Sequence, residues 1–400
     1  MRICIFARAM YRHRPQLVPP MGLLADFFSS MGQDVCVLTP ALPDTSGATE
    51  KEAGGVVHYL PGTSVQGTKT AFWTQSAARF DQLHAEQPFD LIIARGAWSY
   101  GYFRHSRYSG QVPVVQHEGT YPLWLHQIET RENKVLSSLV PLLARLTAFY
   151  DRPTRICRRL ATRVVCNSPA LAAGLVRADW WHPLKTDFIP YGFDVTRFPL
   201  PDTSGSQGRP PRLVFVGRLT WDKGVMELID ILARLTRRDV IVEAIGPVSD
   251  AIRARLASHA VQRGVADRFF MPGMIPNADL PQRLAGATAF VFPSTHPEGL
   301  SKAIMEAMAA SLPVVAFRIP GQDTLVEHGV TGFLEPPRRV DCLIDRIEAL
   351  LADPSAAALM GAAARHKIEM DFEPEAIKRR WQDLMATVVR EHAAKTTAAS

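Results

Sequence analysis

A cationic pair follows a short apolar segment near the middle of the chain. Residues 214–219 read Val-Phe-Val-Gly-Arg-Leu, and Arg218 and Lys223 lie five residues apart around a predicted strand-to-helix turn. Gly217 would let the backbone approach a ligand closely, and the helix N-terminus beyond it carries partial positive charge. With two cations, this arrangement could neutralise a diphosphate without a metal ion. A surface Arg and Lys that flank a loop would explain the same residues.

A second group of candidate residues is acidic. Glu298 is followed eight residues later by Glu306. Two helical turns take about 7.2 residues, so both carboxylates are expected on a similar side of a helix that starts near Glu298. The neighbours Ile304, Met305 and Met308 predict partial burial of Glu306, and a buried carboxylate needs a partner such as a sugar hydroxyl. An acid at a helix N-terminus and an unrelated Glu would also fit.

Several common catalytic and cofactor motifs are absent from the sequence. GxGxxG and GxxxxGK[ST] do not occur, which argues against dinucleotide-binding and P-loop enzymes. DxD and HExxH are also missing, so we expect no metal site and no cofactor. The five cysteines are widely spaced and form no CxxC pair, which predicts reduced thiols rather than zinc ligands.

The elements that would position these residues alternate between strand and helix. Short apolar, β-branched segments are separated by amphipathic ones, which is typical of parallel sheets built from βαβ units. We predict strands at 2–6, 34–39, 91–94, 112–116, 163–167, 212–216, 240–245, 289–292 and 314–317, and helices at 22–30 and 225–235. The pattern runs twice, which predicts an α/β fold with two doubly wound, Rossmann-like domains that face each other across a cleft. A ligand is expected at the carboxyl ends of the strands.

The predicted division of the chain follows from its composition. Residues 199–211 are rich in Pro, Gly and Ser and are interpreted as a linker. They would join an N-terminal domain, 1–198, to a C-terminal domain, 212–370. A terminal helix is predicted within 371–392, and residues 395–400 are expected to be frayed.

The net charge is unevenly distributed. The 400 residues are 47% hydrophobic and 21% charged, as in globular proteins, with a formal charge of +6. Residues 101–200 hold 13 basic and 7 acidic residues, with the highest density at Arg152–Arg163. This region could contact an anionic membrane or a phosphorylated acceptor, or its arginines could pair with nearby acids. No basic stripe interleaved with aromatics accompanies the charge, so nucleic acid is not an expected partner.

No uncharged run in the sequence reaches the ~18 residues that a membrane span needs, and the N-terminus lacks a signal-peptide pattern. We therefore expect a cytoplasmic protein, either free or peripheral on the inner face of the cytoplasmic membrane.

Taken together, these motifs resemble the retaining GT-B glycosyltransferases of family four, also called group 1 glycosyltransferases. The resemblance is strong from Ile189 onward and weaker before it. Beyond the cationic and acidic pairs, it rests on Ile189-Pro-Tyr-Gly-Phe-Asp194, Arg197-Phe198, Phe270-Met-Pro-Gly273, Pro313-Val-Val and Gly329-Val-Thr-Gly-Phe333. The GT-B architecture that it implies has a C-terminal helix that crosses back to the N-domain, where Trp381 would be one anchor.

The resemblance also implies roles for individual residues. Arg218 and Lys223 would hold the donor diphosphate, and Glu298 would contact hydroxyls of the transferred sugar. Glu306 would bind the ribose, and His117 would lie near the sugar and the acceptor, although a structural His fits equally well. The other implied donor-binding residues are Gly22, Gly217, Gly273, Met274, Gly299, Leu300 and Ser301.

Two positions depart from the family's pattern. The family usually has a Gly-Gly pair where this chain has Pro19-Pro20-Met21-Gly22, and the prolines would stiffen that loop on the acceptor side. Many members have a Glu where this chain has Thr324, with Asp323 beside it. This chain therefore has Thr at that position in place of the family's acid.

The implied reaction is transfer of a hexose from a nucleotide diphosphate sugar, of the UDP or GDP type, to a hydroxyl with retention at the anomeric carbon. Front-face attack with the leaving phosphate as base is expected, and double displacement through Glu298 is the other course. Domain closure about the linker would exclude water.

A glycan or lipid-linked acceptor in cell-surface polysaccharide or lipopolysaccharide assembly is expected for this reaction. The alternatives are a GT-B-like sugar-nucleotide epimerase, a phosphorylase and a non-catalytic glycosyltransferase-like subunit.

Overall fold

Two largely parallel sheets organise the part of the chain that the computed structural model describes. The described residues are 1–8, 20–42, 45, 47–52, 54–64, 69–119, 152–178, 185–200 and 210–399. Most of the predicted linker, residues 201–209, lies outside them, and so do residues 120–151 of the basic region. The predicted domain boundaries therefore stay a prediction.

The first sheet has the strand order β3-β4-β2-β1-β5-β6-β7-β8. Its strands are β1 (Arg2–Phe6), β2 (Asp34–Pro40), β3 (Thr49–Glu52), β4 (Gly55–Leu60), β5 (Leu91–Ala94), β6 (Val114–Glu118), β7 (Arg163–Cys166) and β8 (Thr186–Phe188). β3 runs antiparallel to β4, and the other pairs are parallel. The order changes direction at β1, which lies between β2 and β5.

The second sheet has the order β11-β10-β9-β12-β13-β14, with every pair parallel. Its strands are β9 (Arg212–Val216), β10 (Ile241–Ile245), β11 (Phe269–Gly273), β12 (Ala289–Phe292), β13 (Val314–Phe317) and β14 (Gly332–Glu335). Here the order changes direction at β9, between β10 and β12. The predicted α/β fold with two doubly wound sheets is confirmed.

Helices connect the strands. They are α1 (Pro20–Ser30), α2 (Lys69–Glu86), α3 (Tyr100–His105), α4 (Arg152–Leu160), α5 (Pro169–Ala178), α6 (Val225–Arg234), α7 (Asp250–Gln262), α8 (Leu280–Leu284), α9 (Lys302–Ala309), α10 (Val340–Ala352), α11 (Pro354–Asp371) and α12 (Pro374–Ala399). All residues of β5, β12 and β13 are buried, as expected for parallel strands that are covered on both faces.

Most predicted elements are found within two residues of their expected positions, and two of the differences have a structural reason. β6 starts at Val114 rather than at Val112, because Pro113 has no N–H for the ladder and Val112 is hydrogen-bonded to the Tyr102 hydroxyl instead. The terminal helix continues to Ala399. The prediction that the chain is frayed from residue 395 is therefore wrong for residues 395–399. The Thr396 and Thr397 hydroxyls donate to carbonyls one turn back and support the end of the helix.

The terminal helix returns to the first sheet. Ile377, Trp381, Met385 and Val388 are buried in the same apolar cluster as residues of β1, β2 and α1. The Trp381 ring meets the Phe28 ring edge-on, with centroids 5.2 Å apart. This packing is the helix crossing that the resemblance implies, and it joins the end of the chain to its beginning.

Among the described residues, no single helix is long and apolar enough to cross a membrane. The pair 340–352 and 354–397 meets the length and composition test only jointly, and it is bent by 108°.

Truncation of the aromatic anchor should weaken the attachment of the terminal helix. We expect Trp381→Ala to lower the free energy of unfolding by about 3–5 kcal/mol, because the side chain is only 2% exposed and its removal leaves a cavity. Urea denaturation followed by circular dichroism measures the loss. Leu359→Ala on α11 is the control, since Leu359 is 73% exposed and its truncation should cost less than about 0.5 kcal/mol. Equal losses in the two variants would contradict the packing described.

Candidate functional site

The two cationic candidates and Glu298 meet because their strands are neighbours, whereas Glu306 is not among the residues that line the cleft. The loop with Arg218 follows β9, and the loop with Glu298 follows β12. These strands pair in parallel at the point where the sheet order changes direction, so both loops leave the same edge. Residues more than 70 positions apart in sequence are thereby brought to one cleft of about 350 Å³. It is lined by Val216, Gly217, Arg218, Lys223, Phe292, His296–Ala303 and, from the first sheet, Gly119.

Lys223 and Glu298 form an ion pair across this cleft. Lys223 is only 6% exposed, and its ammonium group lies 5.7 Å from the centre of the Phe292 ring. Arg218, by contrast, is exposed at the rim. The two predicted cations therefore differ: one is buried and neutralised by a carboxylate, and the other faces solvent.

The backbone ties the two loops together. The N–H groups of Thr295 and His296 both donate to the Asp222 carbonyl, at 3.0 and 3.1 Å. The His296 ring lies 3.2 Å from the Asp222 carboxylate. Gly224 has φ +77°, and a Cβ there would overlap the Pro293 carbonyl, so only glycine fits. These contacts fix the position of Lys223 relative to the loop of Glu298.

Glu306 lies inside α9 and is buried. Burial raises the pKa of its carboxyl, and the Lys302 ammonium group, 3.5 Å away, opposes this shift. Glu298 precedes α9 by four residues, since the helix starts at Lys302 with Ser301 as its N-cap. Glu298 therefore lies before the helix start, and only Glu306 projects from the helix itself. Pro297 and Gly299 hold Glu298 in a loop, where it pairs with Lys223 while Glu306 pairs with Lys302.

The first sheet presents a row of polar side chains at its carboxyl edge. Arg95, His117, Asn167 and Tyr191 lie at or just beyond the ends of four successive strands, β5 to β8. They line a cavity of about 480 Å³ whose other walls include Leu24, Phe27, Ile377 and Trp381. Gly119, Leu300 and Lys302 line both this cavity and the cleft of the second sheet. The two spaces are therefore adjacent.

His117 is a neutral imidazole in this setting. It is 1% exposed, and burial, with a smaller contribution from the Arg95 charge, lowers its pKa from 6.5 to about 3. Its Nδ1 atom has no hydrogen-bond partner among the described residues. The Tyr191 and Trp381 rings lie 5.8 and 6.2 Å from it, centroid to centroid. A neutral ring with an unsatisfied nitrogen can exchange a hydrogen bond with a ligand hydroxyl.

Gly299 is the point where the two halves of the protein touch most closely in the cleft. A Cβ at Gly299 would overlap Asn167 Oδ1 and lie 2.8 Å from the Gly119 carbonyl oxygen. Behind it, a Cβ at Gly321 would overlap the Gly299 carbonyl and lie 2.5 Å from the Glu298 carbonyl. The Gly299 backbone therefore packs directly on the Asn167 side chain and on neighbouring backbone, and only glycine fits at positions 299 and 321.

The remaining predicted donor residues lie away from the cleft. Gly273 ends β11, two strands from β9, and has φ +83°. Met274, which follows it, is 51% exposed and offers an open apolar surface. Neither residue lines the two spaces described above. Gly22 lies in the first turn of α1, the helix whose later residues line the His117 cavity.

Thr324, which stands where the resembled family often has Glu, lies in the 3₁₀ turn Gln322–Thr324. Asp323 pairs with Arg318, so this carboxylate is engaged on the surface. Neither Arg318 nor Asp323 is among the residues that line the cleft.

Some arginines of the basic region in the first half are buried or paired, whereas others, such as Arg104 and Arg152, are exposed. Arg155 and Arg158 are buried, and Arg158 lies 3.9 Å from Glu118. Arg163 pairs with Asp187 at 3.3 Å and also with Glu391 of the terminal helix. These contacts favour the alternative in which the arginines pair with nearby acids.

Sequence reasoning missed Arg95, Asn167, Tyr191 and Gly119 as members of the site. Two of them follow a predicted strand directly or end one: Arg95 comes after 91–94, and Asn167 ends 163–167. A rule that collects the polar residue at the end of every parallel strand would have found Arg95 and Asn167.

Two family models match the chain. One, described as glycosyl transferases group 1, matches residues 197–367, and the other, described as a glycosyl transferase 4-like domain, matches residues 22–192. The matched ranges contain all the predicted site residues.

Among curated relatives, a protein named as the colanic acid biosynthesis glycosyltransferase WcaL of Salmonella typhimurium is 30% identical over 54% of this chain and 55% of its own length. The GDP-mannose-dependent alpha-(1-6)-phosphatidylinositol monomannoside mannosyltransferase of Mycobacterium tuberculosis is 30% identical over 50% of this chain and 54% of its own length. The chain thus spans about half the length of the curated relatives it matches.

Solved structures resemble the whole chain. The sucrose-phosphate synthase of Thermosynechococcus elongatus matches with a TM-score of 0.76 and 19% identity, and it covers 100% of both chains. HepE of Anabaena, solved with UDP-glucose, matches with a TM-score of 0.71 and 20% identity over 97% of this chain and 100% of its own. At these identities the match shows the GT-B fold.

The buried imidazole should make stability depend on pH. Between pH 6.5 and about 3 the unfolded chain binds a proton at His117 that the folded protein does not bind. The contribution of neutral His117 to the free energy of unfolding is therefore fully present above pH 6.5. It decreases as the pH is lowered, and about 2 kcal/mol is lost at pH 5. In His117→Gln the side chain cannot bind a proton, so the free energy of unfolding should decrease less between pH 7 and pH 5 than in the wild type. Urea denaturation of both proteins at pH 7 and pH 5 measures it, and an equal decline in the two would contradict a neutral, buried His117.

Proposed function

Because the chain belongs to the group 1 glycosyltransferase family, which its two halves match separately, we propose that it transfers a hexose from a nucleotide diphosphate sugar to a hydroxyl acceptor. The observation that carries this proposal is the convergence of Arg218, Lys223 and Glu298 on one cleft at the switch point of the second sheet. Nucleotides bind at such switch points in doubly wound folds.

In the proposed complex, Arg218 and Lys223 contact the donor diphosphate. Their charges offset the negative charge that grows on the phosphate as the glycosyl bond breaks, so the leaving group needs no metal ion. Lys223 is held in place by the loop contacts of Asp222 and Gly224 and therefore requires little reorganisation. The two residues act as fixed cations in a partly enclosed space, where charge interactions are stronger than in water.

Donor binding would exchange one ion pair for another. Lys223 is neutralised by Glu298 in the present arrangement. A diphosphate that takes over Lys223 would release the Glu298 carboxylate to accept hydrogen bonds from hydroxyls of the transferred sugar. Glu306, buried with a raised pKa, would accept from the ribose hydroxyls. Each carboxylate then has a hydroxyl donor, as buried acids require.

The acceptor would enter from the first sheet. The cavity of His117 adjoins the cleft through Gly119, Leu300 and Lys302, so a hydroxyl placed there can reach the anomeric carbon. Neutral His117 would exchange a hydrogen bond with a sugar hydroxyl without adding charge. Retention, with the leaving phosphate as the base, is part of the proposal and rests on the family resemblance.

The relatives support a donor of the UDP or GDP type. HepE was solved with UDP-glucose, and the mycobacterial relative is named as GDP-mannose-dependent. WcaL is named for colanic acid biosynthesis, and the mycobacterial enzyme for a phosphatidylinositol mannoside. We propose a glycan or lipid-linked acceptor in cell-surface polysaccharide or lipopolysaccharide assembly, at the cytoplasmic face of the membrane.

Loss of either cation should weaken nucleotide binding. We expect Arg218→Ala and Lys223→Met each to raise the Kd for the nucleotide that the protein prefers, UDP or GDP, by about 10- to 100-fold, since a charge-assisted contact contributes about 1.5–3 kcal/mol. Calorimetric titration with UDP, GDP and ADP measures the effect.

Arg234→Ala is the matched control for this titration. Arg234 lies at the far end of α6, about 15 Å along the helix from the cleft, and pairs with Asp341. The control should bind like the wild type. Wild-type affinity in both cleft variants, or no binding of any nucleotide by the wild type, would contradict the proposed donor site.

A further inference from the structure

Asn167 carries an unsatisfied acceptor at the junction between the two halves. The residue follows β7 directly and is 2% exposed. Its Oδ1 atom has no hydrogen-bond partner among the described residues. A buried acceptor without a partner costs about 1–3 kcal/mol, so its retention here indicates that something else satisfies it.

The side chain is held in one orientation. The backbone N–H of Asn167 donates to the Glu118 carbonyl at 3.3 Å, which fixes the start of the loop after β7. The side-chain amide is hydrogen-bonded to the Tyr191 side chain. With its nitrogen directed to the tyrosine oxygen, the amide presents Oδ1 on its other side.

That oxygen lies against the loop that bounds the donor cleft. A Cβ on Gly299 would overlap Asn167 Oδ1, so the oxygen sits directly beside the residue that follows Glu298. On the first-sheet side, Asn167 lines the same cavity as His117, whose Nδ1 atom also lacks a partner. Two residues with an unsatisfied polar atom therefore line the cavity that adjoins the cleft.

The chemistry of this oxygen restricts what it can bind. A carbonyl oxygen repels phosphate oxygens and accepts only from N–H or O–H donors. Between the diphosphate cradle and His117, the proposed function places the transferred sugar, which is rich in hydroxyls. We infer that Asn167 accepts a hydrogen bond from a hydroxyl of the transferred sugar and so helps to select and orient it. This inference rests on the proposed function.

The experiment compares a nucleotide with its nucleotide sugar. We measure by calorimetry the Kd of UDP and UDP-glucose, and of GDP and GDP-mannose, for the wild type and for Asn167→Ala and Asn167→Leu. The Leu variant keeps the shape of the side chain without polar atoms. Both variants should bind the nucleotide like the wild type but the nucleotide sugar about 3- to 10-fold more weakly, the effect of one hydrogen bond.

Arg234→Ala is the control, because Arg234 lies at the far end of α6, outside the cleft, and its truncation leaves the contact between Asn167 and Tyr191 in place. Its ratio of nucleotide to nucleotide-sugar affinity should change less than twofold. An unchanged ratio in both Asn167 variants would overturn the inference while leaving the donor site standing. Equal weakening of nucleotide and nucleotide sugar would overturn it too, because the residue would then support only the junction. Failure of the wild type to bind either pair would contradict the proposed function itself.

Discussion

The ion pair of Lys223 and Glu298 depends on the adjacency of β9 and β12, and the candidate site is built around it. These strands are separated in sequence by two strands and three helices, yet they pair side by side at the centre of the second sheet. The strand order therefore delivers a cation and a carboxylate to one cleft. Backbone contacts of Asp222 and Gly224 then lock the two loops together, so the charges are positioned before any ligand arrives.

A second constraint joins the two halves of the protein. Gly299 packs against Asn167 and the Gly119 carbonyl, and no larger residue fits between them. The terminal helix strengthens this arrangement, since Trp381 is buried in the first half while its helix continues from the second. The polar row at the edge of the first sheet and the charged loops of the second are thereby held across a shared boundary, where a sugar could contact both.

The strands with the most apolar sequences were predictable, because 91–94, 212–216, 289–292 and 314–317 are buried on both faces and have few polar interruptions. The loop motifs around Arg218 and Glu298 were also found from residue type and spacing. The ion pair of Glu298 with Lys223 was not, since it depends on the pairing of β9 with β12. Asn167 and Gly299 meet only through the assembly of two sheets, and local sequence patterns contain no information on that contact.

The most direct test of this account is a crystal structure of the protein with UDP or GDP, whichever it binds. The account predicts that the diphosphate lies between Arg218 and Lys223, that Lys223 contacts a phosphate oxygen, and that the Glu298 carboxylate is released from Lys223 toward the sugar side of the cleft. A nucleotide bound elsewhere, or bound in the cleft while the pair of Lys223 and Glu298 stays intact, would contradict the proposal that Lys223 exchanges Glu298 for the donor diphosphate.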